Sequence, residues 1–375
     1  MAAVPAPGDP VAALTEENAM QTPATEKDLT FVGCYTTAAR KARGTGIDAY
    51  RSDPRTRAWQ RLDHVGDVVN PSFMISDPVR NTLYVAHGDL EYASAYQVDP
   101  STGRLRFLGQ AAAGGRNGVS IALDPTRQFL VVANYSSGSV AALPIGPHGA
   151  LEDFTHCLEL PGACGPHRTE QTMSHPHHSV FDPSGRFLLV PDKGLDRIHV
   201  LALDAGSGRL AVVSQAAVRA GAGPRHIAFH PTLPRAFVVN ELDSTIATCG
   251  WDAEAGVLTP LHLVPGLPPT FFGVSTAAEV VVTPCGRFVY ASHRGQDVVT
   301  HCRFDAANDR LDVVGWTPTE GRDPRFMTLT PKGDCLLVAN EQGDSIVAFA
   351  IDAASGSLAA QRTMPSASPS TIAFL

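Results

Sequence analysis

The stretch His177-His178-Ser179-Val180-Phe181-Asp182-Pro183-Ser184-Gly185-Arg186-Phe187-Leu188-Leu189-Val190-Pro191-Asp192-Lys193 decides the fold. A short apolar strand runs into an Asp-Pro-Ser-Gly turn, and a second apolar strand follows. Turn residues between two β-prone runs specify an antiparallel hairpin. The hairpin geometry puts the two leading histidines and the trailing Asp192-Lys193 at one end.

The same unit recurs. Pro78, Pro125, Pro183, Pro231, Pro284 and Pro331 each sit between two apolar runs, at intervals of 47, 58, 48, 53 and 47 residues. A third apolar run follows each pair, as at Ser94–Val98 and Ser345–Ile351. An Asp-containing turn with Gly comes next, as at Asp99–Gly103, and then a weaker fourth run. Four strands per unit of about 50 residues mark the blade of a β-propeller. Thr371–Leu375 is a seventh copy of the first run with nothing after it. Phe31–Tyr35 is a second run with no first run before it. The two fragments complete one blade, which predicts an all-β, seven-bladed propeller of four antiparallel strands per blade, closed by pairing the chain ends. Closure removes an open sheet edge. Residues 29–375 read as this single domain, and 1–28, rich in Ala, Pro, Thr and Glu, as a disordered leader.

Bulk properties narrow the function. The net charge of -8 and pI near 5.9 argue against nucleic-acid binding. No apolar run is long enough to span a bilayer, and no signal-peptide pattern opens the chain. The seven cysteines are odd in number and widely spaced, without a Cys-x-x-Cys pair. That is neither a disulfide framework nor a zinc site, and it fits a reducing, cytoplasmic compartment. His175, His177 and His178 are poor metal candidates, because neighbours on an extended chain point in opposite directions. His148 and His262 read as surface residues of linkers. Nothing in the sequence sets the assembly beyond a monomer or a weak homo-oligomer.

In a propeller the first strand of each blade lines the central channel, and the residues after the second strand share its mouth. Aligned on the turn proline, the heads of the first strands supply Ser72-Phe73, Val119-Ser120, His177-His178, Arg225-His226, Ala278-Glu279 and Arg325-Phe326. The ends of the second strands supply His87-Gly88, Asn134-Tyr135, Asp192-Lys193, Asn240-Glu241, His293-Arg294 and Asn340-Glu341, with Cys34-Tyr35 from the N-terminal half-blade. One mouth thus collects histidines, three arginines, a lysine and carboxylates from different blades. Arginine forks match carboxylate or phosphate oxygens, and a histidine or glutamate among them can act as a general base toward water.

The segments Pro176–Phe187, Gly221–Pro231, Val239–Thr245, Ser292–Gly295 and Asp323–Phe326 resemble the seven-bladed lactonase family, which contains propeller-type 6-phosphogluconolactonases and the fungal 3-carboxy-cis,cis-muconate cyclase. Gly223-Pro224-Arg225-His226 and Asn240-Glu241-Leu242 are its most specific matches. The resemblance covers about residues 30–375. It implies His178, Arg225, Glu241 and Arg294 around the substrate, all on the mouth list above. His177, Tyr135, Lys193, His226, His293, Arg325 and Glu341 are the further binding candidates. The implied chemistry is opening of a small anionic sugar lactone by water, without metal or organic cofactor. His178 or Glu241 would be the base, Arg225 and Arg294 would meet the carbonyl oxygen, and Arg325 and Lys193 would reach a distal phosphate or carboxylate. The same groups could cyclise a carboxy-muconate-type acid, and a non-enzymatic scaffold is a third reading, disfavoured by the charged mouth. Two departures stand out. His293 replaces the family's usual Asn, and the stretch 146–174 is an insertion expected to form a lid or flap.

Overall fold

The computed structural model describes residues 29–53 and 58–375; the expected leader lies outside them. Seven four-stranded antiparallel sheets form a ring. Six blades span residues 71–112, 118–159, 180–217, 224–265, 276–318 and 324–365, numbered 1 to 6 here. Blade 7 is composite. Its innermost strand is Pro369–Phe374 from the C-terminal end, hydrogen-bonded to Leu29–Cys34 and followed by Ile47–Ser52 and Trp59–Val65. The closure read from the two half-units is therefore present, and no sheet edge opens into the ring.

The turns obey the chemistry that located them. The Asp182 carboxylate accepts backbone N–H bonds from Ser184 and Phe187, at 3.2 and 2.9 Å. Gly185 takes the left-handed φ of 73° that the tight turn requires. The core is divided among the seams. Seven apolar clusters occur, one between each pair of neighbouring blades. Phe31, Tyr84, Phe237 and Tyr290 are fully buried there. Truncating such a ring costs about 3–5 kcal/mol.

One regularity positions the site. Near the mouth, the pairing of first and second strands slips by one residue in blades 1, 2, 4, 5 and 6, and in the composite blade. In blade 3 the slip lies between the Pro176–Asp192 bridge and the Val180–Leu189 pair, leaving a first strand of only Val180–Phe181. A β-bulge of this kind re-aims side chains. It breaks the expected alternation at His177-His178. The His177 ring lies 5.3 Å and the His178 ring 4.3 Å from that of His226, so both neighbours meet one partner. His262 is also not in a linker: it lies half-buried within the strand Val257–Pro265. His148 is exposed.

Connections between blades are three to six residues long, except 160–179 and 266–275. The insertion divides in two. Residues up to Glu159 complete the outer part of blade 2, whose fourth strand is His156–Glu159. The rest folds against the mouth end of blade 3. There Gln171 Nε2 donates to the Lys193 carbonyl at 2.8 Å and to Asp196 at 2.7 Å. Gly194 makes room for this, since a Cβ would run into the Met173 carbonyl.

Candidate active site at the propeller mouth

The residues at or just past the ends of the second strands form the outer ring: Tyr35, Gly88, Tyr135, Lys193, Glu241, Arg294 and Glu341. The residues just before them do something else. Asn134 Nδ2 donates to the Ala113 carbonyl, Asn340 Nδ2 to that of Thr319, and His87 Nδ1 bonds that of Val69. Each ties its blade to the connection arriving from the previous one. His293 occupies the same position. It is completely buried, packs on Gly266, and is pushed down to about 3 by burial and by Arg294. Of the expected binding residues, His293 is the one turned away from the mouth.

Glu241 is the hub. Its Oε1 lies 3.3 Å from Lys193 Nζ and 3.3 Å from Arg294 Nη2, and its Oε2 lies 3.0 Å from Arg225 Nε. The Arg225 pair is a close charge contact rather than an aligned hydrogen bond. Burial opposes the Glu241 charge, but Arg294, Lys193, Arg225 and Arg325 outweigh it and hold the carboxyl down at about 2. A carboxylate so tightly held is a poor base. Arg225 also donates through Nη1 to the Ala278 carbonyl, and burial together with Arg294 lowers it to about 10. Arg294 Nη2 donates to the Ala277 carbonyl at 3.2 Å.

Lys193 is held from both sides. Its Nζ is 2.8 Å from Glu170 of the inserted connection and 5.1 Å above the Tyr135 ring. Burial works against its charge, yet Glu241, Tyr135 and Glu170 keep its pKa above the ordinary lysine value. Arg325 pairs with Glu341 at 3.4 Å and lies over the Tyr35 ring. Arg40 covers the same ring at 4.4 Å and fills the space above Gly88, paired with Asp89 at 2.6 Å. Glu170 and Arg40 escaped the sequence reading as site residues, while Tyr35 stood on the mouth list without an assigned role. Arg40 and Glu170 lie in connections outside the proline-anchored register, and only the glycine at position 88 signals a gap to be filled.

One residue deeper lies a layer of rings. Phe73, His178, His226 and Phe326, from four blades, approach one another within 4.3 to 6.5 Å. Glu279 shares this depth and lies 2.7 Å from His226 Nδ1. Burial lowers the basicity of both His178 and His226, and raises Glu279 to about 7. No group of metal-binding side chains occurs among the described residues. None of their helices is long and apolar enough to cross a membrane.

A closed propeller gathers three arginines and a lysine at its mouth above a floor of histidines and phenylalanines, an arrangement whose donors can match the oxygens of an anion. Residues 30–374 match the family described as "Lactonase, 7-bladed beta-propeller", and the chain belongs to that family. It is a lactone-hydrolysing carboxylic ester hydrolase. The 6-phosphogluconolactonase of Bacillus subtilis is 29% identical over 334 residues, covering 88% of this chain and 93% of the relative. That of Formosa agariphila is 28% identical, covering 88% and 94%. Among solved structures, the periplasmic gluconolactonase of Pseudomonas aeruginosa superposes with a TM-score of 0.85 at 27% identity, covering 92% of this chain and 98% of that one.

Proposed function

We propose that the enzyme opens 6-phosphogluconolactone to 6-phosphogluconate at this mouth. The observation that carries the reading is the convergence of cations on Glu241. Lys193, Arg225 and Arg294 all face one carboxylate, and Arg325 stands beside them. A neutral lactone needs donors only at its carbonyl. A phosphorylated lactone brings close to two further negative charges, which such a cluster accommodates. In this assignment Arg225 and Arg294 face the carbonyl oxygen, where negative charge grows in the tetrahedral intermediate. Lys193 and Arg325 take the phosphate, and Tyr135 and His177 line the space between. The names of the two relatives support this substrate, and the structural neighbour's name puts the unphosphorylated lactone beside it as the competitor. The buried thiols of Cys34, Cys249 and Cys302, none of them in a disulfide, fit a reducing compartment and hence the cytoplasm.

The test is acid release in a pH-stat with freshly made 6-phosphoglucono-δ-lactone, run beside gluconolactone and the spontaneous rate. A kcat/KM higher by at least tenfold on the phosphorylated lactone is expected. Equal values would remove the phosphate from the assignment. Release at the background rate on both would redirect the site to an acidic lactone of another kind.

A further inference from the structure

Two imidazoles lie face to face on the floor of the mouth. The rings of His178 and His226 are 4.3 Å apart and within 5° of parallel. Their hydrogen bonds differ in kind. His178 Nδ1 accepts the Ile227 backbone N–H at 3.3 Å. That lone pair is occupied, so the neutral ring carries its proton on Nε2. His226 Nδ1 lies 2.7 Å from Glu279 Oε1. An ionised carboxylate only accepts, so His226 carries its proton on Nδ1 and keeps a lone pair on Nε2. Neither Nε2 has a hydrogen-bond partner among the described residues. One stacked ring is therefore a donor and the other an acceptor, and the partner of each Nδ1 decides which.

This separates roles that the sequence leaves open between His178 and Glu241. Glu241 is committed to three cations. His178 presents a proton. We propose that His226 is the general base of the lactonase, that Glu279 is the positioning residue fixing its tautomer, and that His178 donates from Nε2 to the lactone carbonyl oxygen. The assignment rests on the lactone-opening reading above. In the step, His226 Nε2 takes a proton from water as the water oxygen bonds to the carbonyl carbon. The carbonyl π electrons move onto oxygen, beside His178 Nε2–H and Arg225. When the carbonyl reforms, the bond to the ring oxygen breaks. That oxygen leaves as an alcohol carrying the proton from His226, and the new carboxylic acid ionises. Carboxylate-oriented imidazole is the arrangement by which hydrolytic bases are held elsewhere.

The groups facing His226 are Glu279 of blade 5, His177 and His178 of blade 3, Arg325 of blade 6, Arg294 of blade 5, and Arg225 and Glu241 of its own blade. The cations oppose protonation of the ring, and Glu279 is its one close carboxylate. A proton taken up by the pair goes to Glu279, which then donates to Nδ1, or to Nε2 directly. Either way the Nε2 lone pair is lost, so a single-proton acid limb belongs near the value of about 7 to which burial raises Glu279.

The experiment compares pH profiles of kcat and kcat/KM for wild type, Glu279→Gln, Glu279→Asp, His226→Gln and His178→Gln. Glu279→Gln is expected to lower kcat on the order of a hundredfold or more, leave KM within about threefold, and move the acid limb off its wild-type position; Glu279→Asp should recover part of the rate. His178→Gln should keep about tenfold more activity than His226→Gln, because an amide N–H donates but takes no proton. Wild-type kcat and acid limb in Glu279→Gln, or the reverse order of the two glutamine variants, would overturn the assignment. Nitrogen-15 NMR of the histidine rings at pH 8 reads the tautomers without substrate. Nε2–H on His178 and Nδ1–H on His226 are expected, and the opposite pair refutes the proposal. Those shifts stand even if the lactone assay fails, which would refute the substrate reading alone. If Glu279→Gln does not fold, the His178 and His226 variants and the wild-type spectrum decide.

Discussion

Replacing Glu241 by Gln keeps the shape of the mouth and removes one charge from its centre. Lys193, Arg225 and Arg294, each now within 3.0–3.3 Å of a carboxylate oxygen, would face one another across an amide. Removing one partner from a buried ion pair costs roughly 3–5 kcal/mol, because the charge left behind remains desolvated. Unfolding entropy is about 2.1 cal/mol/K per residue, so roughly 340 described residues give about 0.7 kcal/mol/K. The melting temperature in phosphate-free buffer should fall by about 4–7 °C. Inorganic phosphate can replace the missing charge. At a hundred times its Kd a ligand adds about 2.7 kcal/mol, or about 4 °C on the same scale, so most of the deficit should return on titration. The assay is a thermal melt of both proteins against phosphate concentration. A melting point within a degree of wild type, together with an identical phosphate response, would refute the view that Glu241 holds these cations together. The sign with pH follows from the depressed Glu241 pKa. Its folded value of about 2 lies below the ordinary 4.5, so its stabilisation is complete above about pH 4.5 and is lost as pH falls toward 2. The variant should lack that part of the acid transition.

Three further outcomes test the surroundings. Glu170→Gln releases Lys193 from the inserted connection's carboxylate. KM for 6-phosphogluconolactone should fall several-fold while that for gluconolactone stays level; equal changes would show that Lys193 does not meet the phosphate. Arg325→Ala removes the guanidinium between Glu341 and Tyr35. It should cost the phosphorylated lactone on the order of tenfold or more in kcat/KM, about the worth of one charge-assisted bond, and spare the unphosphorylated one. His293→Asn supplies the side chain found at the equivalent Asn134, Asn240 and Asn340. It should keep full turnover and melt at or above the wild-type temperature, since two buried, unpartnered ring nitrogens give way to an amide able to reach the incoming connection.

The blades were legible because each is anchored by a turn whose residues have few alternatives. Six turns share a proline between apolar runs, with Asp before it at Asp77, Asp124 and Asp182 and Gly two residues after it at Gly185, Gly286 and Gly333, and these turns plus two half-units fix the ring. The charged mouth was legible for the same reason: the turn proline sets a register, and the register brings Lys193, Glu241 and Arg294 to equivalent points on three blades. What failed to show was anything a period of two cannot carry. The pair His293-Arg294 was read as one mouth position, but consecutive strand residues face opposite ways, and only Arg294 reaches the mouth. The bulge at the head of each first strand does the reverse. It turns consecutive residues, Arg225 and His226 or His177 and His178, toward one space, and no sequence pattern announces an extra residue in a strand. Glu279 was on the mouth list but could not be matched to His226, because the match depends on how far adjacent blades rotate about the channel. Arg40 and Glu170 arrive from connections, whose paths no register constrains. The division has a physical basis: backbone pairing repeats in every blade and is written in every copy, whereas the chemistry depends on contacts between different blades, each present once.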